Sequence, residues 1–272
     1  MKIHNFWNKH VLIAIILTIL VAPIALSAGC GEATPSSLAV FAAAGAKPAL
    51  DGIIEKYEAK YGTVVEVTYG GGGEVLSQME LTQSGDVYVA PEQRFMDSAT
   101  EKQLVLADTI ISVAYMVPVI AVPADNPQGI EKLEDLARPG VKVAVTRAET
   151  TLLGKYAPEI FEKAGLGEAI GGNIVTEAAR PDALLTMLVM GQVDAGIIWN
   201  FYEVQAADKI KVIYLTPEQL TGIGEMQAAV MTFTTNRNEA ERFLEFLASG
   251  EGKETFRECG YIVDEEEMEL YS

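Results

Sequence analysis

Four short segments of this 272-residue chain share one design: an apolar strand, a turn of small residues, and the first turn of a helix. They lie at residues 42–47, 70–74, 149–153 and 179–182. The first N–H groups of a helix have no intrahelical acceptor and sit at the positive end of the helix dipole. Each such turn can therefore hold the oxygen of an anion. The second turn carries four consecutive glycines, which cost backbone entropy and are expected where the chain needs positive φ or a close approach. That run fits neither GxxxxGK[ST] nor GxGxxG, so a nucleotide site is not indicated. Four turns of this kind facing one another would form a cage of donors for a small anion.

Other chemistry is thinned out by composition. The only two histidines, His4 and His10, fall in an N-terminal leader: basic Lys2 and Lys9, an apolar run over 11–26, then Ser27, Ala28, Gly29 and Cys30. This pattern reads as an export signal over 1–29 ending at a lipidation cysteine, Cys30. The third place before Cys30 holds Ser27 where leucine is usual, and residues 11–28 are long enough to be an uncleaved membrane helix, the alternative reading. Without the leader the chain has no histidine, which removes Ser-His-Asp and Cys-His catalysis and most zinc sites. Cys259 is then left without a disulfide partner and reads as a small core residue near a helix end. Removal of Lys2 and Lys9 leaves 18 basic residues against 38 acidic ones, a formal charge of −20. A surface of that sign argues against nucleic acid as a partner.

The elements that must position the turns can be read from periodicity. Strands are expected at 38–41, 64–69, 87–90, 114–122, 141–145, 195–199, 212–215 and 228–235. Helices are expected after Pro48 with Leu50, Ile53, Ile54 and Tyr57 on one face, after the glycine run with Val75, Leu76 and Met79, and at 94–102, 133–136, 150–164, 181–190 and 239–247. Pro48 suits a first helical turn, where its missing N–H costs nothing. This alternation predicts an α/β protein with helices on both faces of parallel or mixed sheets. Ligands in such folds gather at the carboxyl ends of strands, where the four turns lie.

Several motifs resemble the extracytoplasmic molybdate- and tungstate-binding proteins of ABC importers. The stretch 41–44 (Phe-Ala-Ala-Ala) is similar to the family's opening motif, 78–80 to its Gln-Ile-Glu, 85–89 to its Ala-Asp-Leu-Phe-Ile, and 93–97 (Gln-Arg-Phe-Met-Asp) to its Gln-Lys-Trp-Met-Asp. Residues 143–157, 191–199 and 256–261 continue the resemblance over nearly all of the exported chain. Its binding positions fall on Gly45 and Gly72 where the family has serines, on Leu153 for alanine, on Pro181 for valine and on Trp199 for tyrosine. Two hydroxyl donors and the tyrosine hydroxyl are thus absent, and Pro181 has no N–H. A tetrahedral dianion accepts about seven or eight hydrogen bonds, each worth roughly 1.5–3 kcal/mol at a charged acceptor. The donors must then come from glycine-turn N–H groups and from Arg180, Lys47, Trp199 Nε1 or Tyr202.

The resemblance implies two Rossmann-like lobes joined by two crossing strands, the type II periplasmic-binding-protein fold, with the ligand cleft between the lobes. A tether over 30–37 would lead to one lobe at 38–115 plus 228–272 and another at 116–227. The expected contacts to solute are Ala44, Gly45, Ala46, Gly71, Gly72, Gly73, Leu152, Leu153, Arg180, Pro181, Trp199 and Tyr202. Glu74 and Asp182 are expected to complement helix dipoles. The implied function is capture of a small oxyanion, molybdate- or tungstate-like, by a monomeric binding protein that delivers it to an ABC permease, without catalysis, cofactor or metal site. The protein would be extracytoplasmic, anchored to the membrane by lipid or a retained helix. A different or larger anion (sulfate, phosphate or a small organic anion) and a ligand-sensing subunit are the alternatives.

Overall fold

The computed structural model describes residues 36–268 and Tyr271, so the leader, Cys30 and all but the end of the tether lie outside the described residues. The first strand, β1 (Ser37–Ala43), is apolar on both faces because it is an inner strand covered by helices. Its side chains alternate: Leu38, Val40 and Ala42 join a core with Leu50, Ile53 and Tyr57 of α1 (Lys47–Tyr61), whereas Phe41 points to the opposite face. There it meets Val75, Leu76 and Met79 of α2 (Gly72–Thr82), which follows β2 (Val64–Gly70). The same two-residue period divides β3 (Val87–Ala90), with Val87 and Val89 on one face and Tyr88 and Ala90 on the other. Next come α3 (Gln93–Glu101) and β4 (Ile111–Met116).

The apolar run expected as one strand over 114–122 is two strands in two different sheets: β4 ends at Met116 and β5 (Pro118–Pro123) begins two residues later. Pro118 explains the break, since it donates no N–H and restricts the residue before it. Val117, at the joint, has its N–H bonded to Asn200 Oδ1 at 2.9 Å and its carbonyl bonded by the Asn200 N–H at 3.0 Å.

After β5 the chain forms β6 (Val143–Thr146), α4 (Leu152–Lys163), α5 (Gly167–Gly171), β7 (Ile174–Ala178), α6 (Pro181–Val189), β8 (Ala195–Trp199), α7 (Tyr202–Gln205) and β9 (Ile210–Tyr214). It returns through residues 215–223 to β10 (Gly224–Val230), then α8 (Arg237–Leu247), α9 (Gly250–Glu258) and α10 (Glu265–Met268). The first sheet has the order β2-β1-β3-β10-β4 and the second β7-β6-β8-β5-β9. The three strands β1, β2 and β3 run parallel, as do β6, β7 and β8, and the crossing strands β5 and β10 run antiparallel to their neighbours. Two lobes of this kind, each a mixed sheet flanked by helices, fulfil the expected fold. The expected strand over 228–235 is displaced to 224–230: Met231 is left as an isolated bridge with Val105, and a turn follows at 232–233. Edge strand β7 escapes the periodicity reading: Val175 and Glu177 face solvent, so it lacks a continuous apolar run.

One buried carboxylate ties α1 to α8. Glu239 is 6% exposed and its Oε1 accepts from Tyr57 Oη at 2.6 Å and Thr63 Oγ1 at 2.7 Å, while Oε2 meets Arg242 at 2.9 Å. Burial alone would favour the neutral acid, but these donors outweigh it and hold the carboxyl below its ordinary value. Cys259, expected as a small core residue near a helix end, does cap the C-terminus of α9 but is only half-buried, with its thiol pushed up by burial and then by Glu258.

Candidate functional site

A cavity of about 600 Å³ lies where the carboxyl ends of strands from both sheets meet. Residues from all four small-residue turns line it. Each turn is held differently.

In the first, Ala44, Gly45 and Ala46 form a single 3-10 turn between β1 and α1 and border the cavity. Tyr261 Oη donates to the Gly45 carbonyl at 2.8 Å, and its ring stacks on Phe201 at 4.6 Å between centroids. The C-terminal segment thus fixes this turn from behind. A Cβ placed on Gly45 would sit 3.7 Å from Phe201, an ordinary contact, so packing does not demand glycine here. Lys47 is drawn away, bonded to Asp51 at 2.8 Å and lying 4.6 Å over the Tyr69 ring.

In the second, Gly71 precedes α2, and its N–H donates to Glu74 Oε2 at 3.2 Å. The glycines are not there for positive φ, since none of 70–73 adopts it. Close approach is the reason at Gly72, where a Cβ would come within 2.5 Å of the Phe95 ring. Gly73 faces open space and Gly71 faces the Arg180 side chain of the other lobe.

In the third, Glu149, Thr150 and Thr151 line the cavity, whereas Leu152 and Leu153 do not. Thr151 caps α4, its Oγ1 accepting from the Gly154 N–H at 2.9 Å. Leu153 is wholly buried in the core of the second lobe, and the Leu152 N–H is directed at Glu92.

In the fourth, Arg180 precedes α6, which starts with Pro181. Its guanidinium makes a two-point contact with Asp182, 3.1 Å and 2.9 Å, on the solvent side of the cleft. Tyr202, 6% exposed, lines the wall beside this pair. Burial, and then the Asp182 charge, push its hydroxyl far above the ordinary range, so it stays protonated and able to donate at neutral pH. Trp199, 3% exposed, forms the floor and meets Tyr156 edge-on at 6.4 Å.

Sequence reasoning missed a fifth strand-to-helix turn, after β3. It brings Glu92, Arg94 and Phe95 to the cavity. Its signal was present: Pro91 and Glu92 stand between an apolar strand and a helical pattern, as in the other four. Glu92 is 5% exposed and raised above its ordinary value by burial, with Arg94 opposing. Among the described residues the cavity lining has four carboxylates (Glu74, Glu92, Glu149 and Asp182) and two guanidiniums (Arg94 and Arg180). No group of three or more His, Cys, Asp or Glu is placed to hold a metal among the described residues, and none of their helices is long and apolar enough to cross a membrane.

Comparison with known proteins agrees with this architecture. The molybdate-binding protein ModA of Mycobacterium tuberculosis is 27% identical over 244 residues, covering 85% of this chain and 91% of that one. The periplasmic molybdate-binding protein of Azotobacter vinelandii superposes with a TM-score of 0.72 at 18% identity, covering 84% of this chain and 99% of that one. PEB3 of Campylobacter jejuni, solved with L-phospholactate bound, gives 0.73 at 19% identity, covering 84% and 100%. The model of the bacterial extracellular solute-binding proteins matches residues 38–262. With that match spanning nearly all of the described fold and the cleft set between its two lobes, the chain belongs to the family of bacterial extracellular solute-binding proteins.

Proposed function

We propose that this protein captures a small oxyanion in the cleft between its lobes and delivers it to an ABC permease. The observation that carries the reading is the meeting, across one cavity, of the α2 N-terminus from one lobe and the Arg180 turn from the other. An anion placed there would be bonded from both sides, and a ligand that bonds both lobes favours the closed arrangement over the open one. Ala44, Gly45, Ala46, Gly72 and Gly73 supply backbone donors in this reading, Gly71 borders the anion with its own N–H held by Glu74 Oε2, and Arg180, Trp199 Nε1 and Tyr202 supply side-chain donors. In this reading the lobes follow the two sheets, with β4 ending one at Met116, β10 re-entering it at Gly224, and the hinge at Val117 and through 215–223. The protein acts as a monomer outside the cell membrane, held by a lipid on Cys30. The names of the relatives, two of them molybdate-binding, favour a molybdate- or tungstate-like ion.

A second reading has one observation behind it. With about 30 Å³ per liquid water, the cavity of about 600 Å³ has room for on the order of twenty waters, far more than a tetrahedral ion needs. A small organic acid with a phosphate or carboxylate head would use that room, and PEB3 was solved with such a molecule. A thermal-shift panel on the full chain in detergent separates the two, using molybdate, tungstate, sulfate, phosphate and three-carbon phosphorylated acids. Saturating molybdate or tungstate should raise Tm by several degrees. Shifts with the organic acids alone would replace the first reading by the second, and no shift with any anion would reject both.

A further inference from the structure

Glu92 is the cavity residue least explained by packing. It follows β3 in the first lobe, yet its two carboxylate oxygens lie 3.3 Å and 3.2 Å from the Leu152 nitrogen, the first residue of α4 in the second lobe. Its Oε2 also accepts from Arg94 Nε at 2.9 Å. The same guanidinium crosses the cleft, Nη2 donating to the Thr150 carbonyl, and is steadied by the Phe95 ring at 4.4 Å. A helix N-terminus attracts an anion through its unpaired N–H groups and its dipole. At α4 the Gly154 N–H is already taken by Thr151. The Leu152 N–H is taken by a carboxylate that the protein itself supplies.

We propose that Glu92 is a specificity-determining residue: it is the resident anion at the Leu152 N–H of the third turn, so that solute is read chiefly by the first, second and fourth turns. This rests on the reading of the cleft as a solute site, but it makes a claim about the ligand-free protein as well. The third turn offers solute no free donor at Leu152 and confronts it with a fixed negative charge. Arg94 and Glu92 together also clasp the lobes at this point.

The test is amide hydrogen exchange of the full chain in detergent, read at Leu152, with the β8 amides as the control for intact folding. Without added anion, Glu92→Ala should speed exchange at Leu152 about tenfold or more. Glu92→Gln, whose amide oxygen can still accept, should stay near wild type. In Glu92→Ala, added molybdate should restore protection at Leu152, and in wild type it should leave that amide unchanged. Exchange unaltered by Glu92→Ala, or molybdate adding protection at Leu152 in wild type, would overturn the proposal. If molybdate protects no amide in any variant, molybdate is not the solute, while the ligand-free comparison still decides the role of Glu92.

Discussion

At the scale of single residues, two glycines that occupy serine positions of the resembling family have different causes. Gly72 is imposed by Phe95, because any Cβ there meets the ring at 2.5 Å, whereas Gly45 has room for one at 3.7 Å from Phe201. Gly72→Ser should therefore destabilise the fold by about 1–3 kcal/mol, and Gly45→Ser should stay within about 0.5 kcal/mol of wild type. Chemical denaturation of both variants checks this, and Phe95→Leu should relieve Gly72→Ser but do nothing for Gly45→Ser. Equal costs at the two positions would remove Phe95 as the reason. The glycine run was legible as a place of close approach, but what approaches was not: Phe95 lies more than twenty residues further along and is brought back by the fold.

At the scale of elements, alternating strands and helices followed from residue pattern. In β1 and β3 both faces are largely buried, so each shows as an apolar run whatever its neighbours are. Pattern failed where continuity and pairing disagreed: residues 111–123 are apolar almost throughout, and only Pro118 marks that they serve two sheets. The junction of α1 with α8 offers a check on energetics. Glu239→Ala leaves the buried Tyr57 hydroxyl and Thr63 without their acceptor, so a loss of about 1–3 kcal/mol is expected in urea unfolding. Because the native carboxyl titrates below its unfolded value of 4.5, its contribution is present above that pH and is lost as pH falls through the native value. The gap between wild type and Glu239→Ala should thus narrow as pH falls below 4.5; a gap that stays constant on acidification would show that ionisation is not the source.

At the scale of the whole molecule, net charge opposes the proposed ligand. The chain carries 20 basic against 38 acidic residues, a formal −18. An anion approaches against that field until short-range donors take over, and the field is screened beyond roughly 8–10 Å at physiological salt. Stopped-flow association of whichever anion the panel identifies should therefore accelerate as salt rises at low ionic strength. A rate that falls with salt would mean that the Arg94 and Arg180 region, not the net charge, governs encounter.

What the amino-acid sequence by itself determined was the alternation of elements, the gathering of small-residue turns at strand ends, and the lack of histidine beyond His10. These are local or additive properties, fixed by neighbours within a few residues or by composition. Only the tertiary structure decided which backbone N–H groups of those turns remain open to the cleft. A donor's availability depends on whether the fold delivers another acceptor to it, and for Leu152 that acceptor, Glu92, comes from 60 residues away in the other lobe. The turns were visible in the sequence; their occupancy was not, because hydrogen bonding is settled by distance in space and not by order along the chain.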